Sequence, residues 1–157
     1  MQSLFEWLES LQVSAAFDQS GYFGAGINVA HLFALTVFLG ATLVVDLRLL
    51  GRALNRQPLR EVARNAQPWL IAGLVALLVT GVLQVLTTPM KAYYSTNFWF
   101  KMQLFAVALV FTFTLRQRIA NADQAHVRAI WRTIVGLTSI ALWSMIAVQG
   151  RLIGVLQ

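Results

Sequence analysis

Four long apolar runs dominate the pattern of hydrophobic and polar positions along the chain. They occupy residues 27–45, 68–86, 98–115 and 130–148, and the first holds 19 residues without a formal charge. A helix needs about 20 apolar residues to cross about 30 Å of hydrocarbon. The third run is short, so we expect flanking residues to complete it or the bilayer to thin.

These runs lack the polar faces that a soluble helical bundle would need. The pattern therefore predicts an all-α polytopic membrane protein, a bundle of four transmembrane helices in a single domain spanning residues 1–157. In the segment before the first run, residues 1–21, apolar side chains recur at helical spacing, at Leu4, Phe5, Leu8 and Leu11. This spacing predicts a short amphipathic helix on the outer membrane surface. The glycines at 21, 24 and 26 are expected to form a flexible joint into the first span.

Composition supports the membrane and argues against nucleic acid as a partner. Hydrophobic residues make up 58% of the chain and charged residues 11%, whereas a soluble domain carries roughly 25% charged residues. The net charge is +6, but the basic residues lie between the apolar runs, as at the cytoplasmic ends of membrane helices. The absence of cysteine excludes disulfides, thiolate-ligated clusters and a Cys nucleophile.

Lysine and arginine positions predict the orientation. The side of the first and third connections carries nine basic residues and the opposite side three. The nine are Arg48, Arg52, Arg56, Arg60, Arg64, Arg116, Arg118, Arg128 and Arg132; the three are Lys91, Lys101 and Arg151. The arginine-rich connections are thus expected in the cytoplasm of a bacterium, and both termini on the periplasmic side of its inner membrane.

The five arginines from Arg48 to Arg64 recur every four residues, although Pro58 must interrupt any continuous helix. One interpretation is a strip that docks anionic lipid or a protein. The other is ordinary positive-inside topology.

Polar side chains within the spans gather in the outer half. Such groups are costly in a bilayer and tend to face the bundle interior or a cavity, so this half is the expected place for a site. Asn28 and His31 share a helix face there, and His31 is the histidine predicted to lie within the membrane. His31 is either a ligand of haem or a metal, a proton relay, or a hydrogen-bonding group that fixes helix packing. The set comprises Asn28, His31, Gln84, Lys101, Gln103, Gln149 and Arg151.

Three methionines also fall towards the outer side, at Met90, Met102 and Met145. Thioether with imidazole suits Cu(I), and a His/Met pair can hold haem in a four-helix bundle. The alternative is that these methionines fill gaps in packing. At the inner end of the first span, Asp46 is a candidate for proton transfer or for an interfacial ion pair with a neighbouring arginine.

Phosphate-loop, nucleophile-elbow and zinc-hydrolase motifs are absent, which argues against an ordinary hydrolase or nucleotide enzyme. The protein is not expected to be an enzyme on its own.

The run Asp46-Leu47-Arg48-Leu49-Leu50-Gly51 resembles a family of uncharacterised bacterial four-helix membrane proteins, and the resemblance covers roughly residues 22–154. It implies fold and compartment but no activity. Other residues that carry it are His31-Leu32, Gly40, Thr80-Gly81, Asn97-Phe98, Lys101, Trp143 and Gly150-Arg151-Leu152-Ile153. Members of this family often have a histidine near the inner end of the third span, whereas residues 112–118 contain none. A haem site that uses this second histidine as a ligand therefore has no support in this chain.

His31 and the Asn-Phe-x-x-Lys of the third span also resemble, more distantly, the membrane domain of copper resistance protein D. That family is implicated in copper passage across the inner membrane.

The leading hypothesis is a small inner-membrane protein that holds haem b or copper in its outer half, for electron transfer or metal handling. His31 is the expected first ligand, with Met102 or Met145 as its partner and Met90 as a further metal ligand; Asn28, Gln84 and Gln103 are expected to orient the imidazole. The competing hypothesis is a non-catalytic anchor or assembly subunit of a homo-oligomer or larger membrane complex. A small-solute transporter or channel is a third possibility and would need an oligomer.

Overall fold

A computed structural model describes residues 6, 7, 10, 21–87, 89–122 and 127–155. Between residues 21 and 155 the described part of the chain forms five α-helices. They are α1 (Gly21–Leu49), α2 (Leu59–Thr87), the short α3 (Pro89–Tyr94), α4 (Thr96–Asn121) and α5 (Ala129–Val155). The predicted amphipathic segment at residues 1–21 lies almost wholly outside the described residues and stays a prediction.

Four of these helices, α1, α2, α4 and α5, are long and apolar enough to cross a membrane. Short connections join them in sequence. The chain is therefore an all-α, multi-pass membrane protein built on four helices, as the hydrophobic pattern predicts.

The helices begin earlier or end later than the apolar runs. The glycines predicted to form a flexible joint lie within α1, so the helix of the first span includes this segment. Helix α2 begins at Leu59, directly after Pro58, whose carbonyl accepts hydrogen bonds from the backbone N–H groups of Glu61 and Val62. Proline at this position suits a helix start, since the first N–H groups of a helix have no intrahelical acceptor. Pro68, the predicted start of the second span, is thus inside α2.

Helix α4 is 26 residues long, so residues flanking the short third run complete this span, which is the first of the two alternatives expected for it. Its start is capped by Ser95, whose side-chain oxygen accepts a hydrogen bond from the Phe98 N–H. Within it, Thr112–Arg116 forms a π-helical turn before the α-helix resumes. π-Helical turns are rare in proteins overall, but a large share of them occurs at functional sites. The wider turn redirects the side chains that follow.

Helix α1 packs along α2 and also contacts α5, and α5 in turn contacts α4. The contact between α2 and α4 is made by Gln117–Asn121, at the last residues of α4. We call the end of the bundle that holds the connections at residues 50–58 and 122–128 the arginine end, and the opposite end the histidine end. Among the described residues, α2 and α4 pack against each other mainly at the arginine end.

Two groups of buried apolar side chains form the core. Gly73 of α2 allows the close approach of α1, since a Cβ there would lie 2.8 Å from the backbone nitrogen of Phe38. Small residues bring membrane helices together in this way. The group nearer the histidine end contains Ala34, Phe38, Ala41, Leu70, Leu77, Ala108, Trp143 and Ile146. The group nearer the arginine end contains Val45, Leu49, Leu59, Val62, Ala63, Ala120 and Val135.

Candidate functional site

His31 is half-buried at the histidine end and faces α2. Its Nδ1 lies 2.8 Å from the Thr80 hydroxyl oxygen. That hydroxyl donates its own proton to the carbonyl of Ala76 at 2.6 Å, within α2. Because the Thr80 proton is used in this way, the oxygen accepts from His31, and the proton of a neutral imidazole is held on Nδ1. The lone pair of Nε2 is then available to a ligand.

Residues of all four spans lie at the histidine end with His31. Gly81 of α2 leaves room for the ring, since a Cβ there would lie 3.6 Å from its Cε1. From α4, the half-buried Lys101 lies at the same end of the bundle. The Nζ of Lys101 reaches α5, where it lies 3.2 Å from the position that a Cβ of Gly150 would occupy. The group of His31, Thr80, Gly81, Lys101 and Gly150 is called the histidine cluster below.

Asn28 and Gln84, predicted to orient the imidazole, meet across the interface of α1 and α2. The Gln84 amide nitrogen donates to the Asn28 side-chain oxygen at 3.4 Å. These two residues therefore bond to each other, and the structure assigns the hydrogen bond of His31 Nδ1 to Thr80 instead.

The other predicted ligands lie further out. Met102 is 37% exposed and Met145 is 49% exposed, so both side chains are on the exterior of the bundle. Gln103 is also exposed, and Met90 is half-buried in α3. Their part in ligand binding stays a prediction. Within the described part of the chain, no group of three or more His, Asp or Glu side chains is placed to hold a metal ion.

A second polar group, near the arginine end, is buried in the bundle. The Arg116 Nε donates to Asp46 Oδ1 at 2.6 Å, and its guanidinium also donates to the Thr42 carbonyl at 2.8 Å. The Ser139 hydroxyl donates to the other carboxylate oxygen, Asp46 Oδ2, at 2.7 Å. Asp46, Arg116 and Ser139 are each at most 1% exposed. We call these three residues the buried ion-pair cluster.

This cluster corrects two expectations. Arg116 was assigned to the third connection, but it lies in the π-helical turn of α4 and points into the bundle. Asp46 does form an ion pair, but with an arginine 70 residues further along the chain, and the pair is buried rather than interfacial. A signal was present in the sequence, because α1 and α4 run in the same direction and both residues come near the ends of their helices.

The π-helical turn also supplies the acceptor for a buried tryptophan. Trp143 Nε1 donates to the Thr112 hydroxyl oxygen at 3.1 Å. The ring of Trp143 packs edge-on against Phe38, with ring centroids 4.5 Å apart. This contact joins α1, α4 and α5 between the histidine cluster and the buried ion-pair cluster.

Comparison with known proteins identifies one family. The model described as "Family of unknown function (DUF6644)" matches residues 4–156. No curated protein and no solved structure matches the chain. The likeness to the membrane domain of copper resistance protein D therefore stays a prediction from the residues quoted above.

Proposed function

The chain belongs to this family of unknown function, and from that premise we propose that it is a small membrane protein that holds haem b or copper through His31. The observation that carries the proposal is the hydrogen bond from His31 Nδ1 to Thr80. A histidine that ligates a metal through one ring nitrogen almost always donates the other N–H to an oxygen, which fixes its tautomer and orientation. Thr80 would supply that oxygen, and Nε2 would be the ligating atom.

The donor set fits haem better than a bare copper ion. Lys101 is half-buried at the same end of the bundle, where its ammonium group would pair with the carboxylates of a haem rather than with a second cation. Gly81 and Gly150 allow the close approach of the His31 ring and the Lys101 ammonium group, respectively. A haem bound there would supply one-electron chemistry, and the protein would supply the ligand, its orientation and the charge of Lys101.

Met102 or Met145 would supply a second ligand to the group. Both are exposed on the bundle, so their sulfur atoms are available to a partner surface. We propose that the protein works as a homo-oligomer or within a larger membrane complex. In the bacterial inner membrane, the arginine end would face the cytoplasm, and the histidine cluster would lie in the periplasmic half.

Purification in mild detergent, followed by a visible spectrum and measurement of bound iron and copper, tests the proposal. The expected result is a Soret band or stoichiometric metal that is lost in His31→Ala. His126→Ala is the matched control, because it removes a histidine predicted to lie outside the spans, and it should keep the signal. Retained binding in a folded His31→Ala protein, or an intact wild-type protein without chromophore or metal, would refute the proposal.

A second function, that of a non-catalytic anchor or assembly subunit, is favoured by a different observation. Polar side chains within the spans bond to each other, as in the pairs Asp46–Arg116, Trp143–Thr112 and Asn28–Gln84. Pairing of this kind is what helix packing alone requires. A protein that co-purifies in stoichiometric amount from cross-linked membranes, together with a colourless and metal-free preparation, would support this function over the first.

A further inference from the structure

A groove of about 450 Å³ lies between α1 and α2 near the arginine end, at the end of the bundle opposite the histidine cluster. It is open to the exterior of the bundle and its walls are mainly apolar. Since this exterior faces hydrocarbon in a membrane protein, an occupant of the groove would come from the bilayer. The apolar part of the wall includes Val37, Gly40, Val44, Leu54, Ala66 and Trp69.

The groove is open along α1 because residue 40 is a glycine and has no side chain. A Cβ on Gly40 would have no atom within 4 Å, so the space in front of this residue is empty. Gly73 shows the contrast, because its missing side chain is needed for contact with Phe38. Close packing of α1 against α2 therefore explains Gly73 but not Gly40, and a side chain at position 40 would extend into the groove.

The connection between α1 and α2 closes the groove at the arginine end. Leu54 lines it from this connection and has a φ of +54°. The left-handed region is unfavourable for an L-residue with a side chain, and leucine has no polar group to offset the strain. Strain of this kind persists where the surroundings hold it and concentrates at binding sites. Here it holds an apolar side chain over the groove.

Basic residues surround the same end. Arg48 Nε donates to the backbone carbonyl of Gln57 at 2.9 Å, and Gln57 also lines the groove. Arg56 precedes Gln57 in the connection and is exposed. Trp69, which lines the groove from α2, is 65% exposed. Tryptophan at this depth is typical of the level of the lipid head groups. The full set of arginines from this region is Arg48, Arg52, Arg56, Arg60 and Arg64.

We propose that this groove binds one anionic diacyl phospholipid of the leaflet at the arginine end. An acyl chain lies along Gly40 and Val44, and the phosphate pairs with the arginines of the connection. Charge complementarity selects this occupant, because an apolar groove that ends in cationic side chains matches a molecule with an apolar chain and an anionic head. The arginines thus bind a specific lipid in addition to setting topology.

The test uses the full-length protein in a mild detergent, with dioleoyl phosphatidylglycerol and dioleoyl phosphatidylcholine as probes of identical acyl chains. Native mass spectrometry and thermal unfolding are measured for each lipid. We expect a single phosphatidylglycerol adduct and a saturable rise in Tm, both weaker with phosphatidylcholine and reduced by salt. Inorganic phosphate should give no rise in Tm, since it lacks the chain. Equal effects of the two lipids, or an equal effect of phosphate, would overturn the proposal.

Variants assign the adduct to the groove. Gly40→Leu fills the empty space in front of α1 and should abolish the adduct, and Val44→Phe serves the same purpose if the first variant does not fold. Arg56→Gln should lower the affinity for phosphatidylglycerol about fivefold. Arg128→Gln, which removes a charge at the same end but outside the α1–α2 connection, should leave it unchanged. An adduct that survives Gly40→Leu and Val44→Phe, or a dimer that either variant abolishes, would contradict the lipid proposal.

Discussion

Arg116 and Asp46, 70 residues apart in the chain, form a buried ion pair with 2.6 Å between Nε and Oδ1. Arg116 lies in the π-helical turn of α4, and Asp46 lies one turn before the end of α1. Both carboxylate oxygens have donors, since Ser139 of α5 serves the second one. One carboxylate therefore ties together three spans near the arginine end.

Removing either partner of this pair should destabilise the protein strongly. Asp46→Asn leaves the guanidinium of Arg116 buried without its counter-charge, and Arg116→Gln leaves the carboxylate in the same state. Loss of one partner of a buried pair costs about 3–5 kcal/mol. Denaturant unfolding in detergent measures the effect. The double variant should lose much less than the sum of the two single losses, and additive losses would show that the pair is not coupled.

The fold was predictable because the hydrophobic runs report the requirement of the bilayer directly. Helix ends were predicted less well, since residues such as Arg60 and Arg64 continue α2 beyond the hydrocarbon. Hydropathy does not detect this extension. The ends of membrane helices are polar, and the polar signal of a helix end resembles that of a connection.

The sequence predicted one of the two polar clusters in part and missed the other. His31 and Lys101 lie at the same end of the bundle, and their placement in the outer half of the membrane stays a prediction. The buried ion-pair cluster was missed because Arg116 was counted as a topological charge. Its π-helical turn, which aims the side chain inward, has no recognisable sequence signal. Whether a side chain faces lipid or the bundle depends on the rotation of its helix, which the sequence leaves open for Met102 and Met145.

Alanine variants of Gly73 and Gly40 form a matched test of how α1 packs against α2. Gly73→Ala places a Cβ 2.8 Å from the backbone of Phe38, which forces the helices apart. Overpacking of this kind costs about 1–3 kcal/mol. Gly40→Ala meets nothing within 4 Å and should be neutral or slightly stabilising, because alanine favours helix. Thermal unfolding in detergent compares the two variants, and equal Tm values would contradict the close approach at Gly73.

Thr80 should control ligand binding at His31 without being a ligand. Thr80→Val keeps the shape of the side chain but removes the oxygen that accepts from Nδ1. Loss of such an oxygen lowers metal affinity about 10–100-fold. Titration of the purified protein with haem or Cu(I) measures the change. Thr80→Ser restores the oxygen and should restore the affinity, whereas wild-type affinity in Thr80→Val would show that Thr80 does not orient the imidazole.

Thr112 should stabilise the bundle through Trp143. Thr112→Val leaves the buried Nε1 of Trp143 without its acceptor, at a cost of about 1–3 kcal/mol. Thr114→Val is the control, since Thr114 is exposed in the same π-helical turn and bonds to its own helix backbone. Adding Trp143→Phe to Thr112→Val removes the unpaired donor, so the double variant should lose less than the two single losses combined. A Tm for Thr112→Val equal to that of Thr114→Val would contradict this role.

The proposed orientation can be tested with single cysteines, because the chain has none of its own. Asn55 is exposed in the connection at the arginine end, and Tyr94 is 68% exposed at the end of α3, on the opposite side of the membrane. If the arginine end faces the cytoplasm, a membrane-impermeant maleimide added to intact bacterial spheroplasts should label Tyr94→Cys and not Asn55→Cys. Permeabilisation should then expose Asn55→Cys. The reverse labelling pattern would place the histidine cluster in the cytoplasmic half of the membrane and the lipid groove in the outer leaflet.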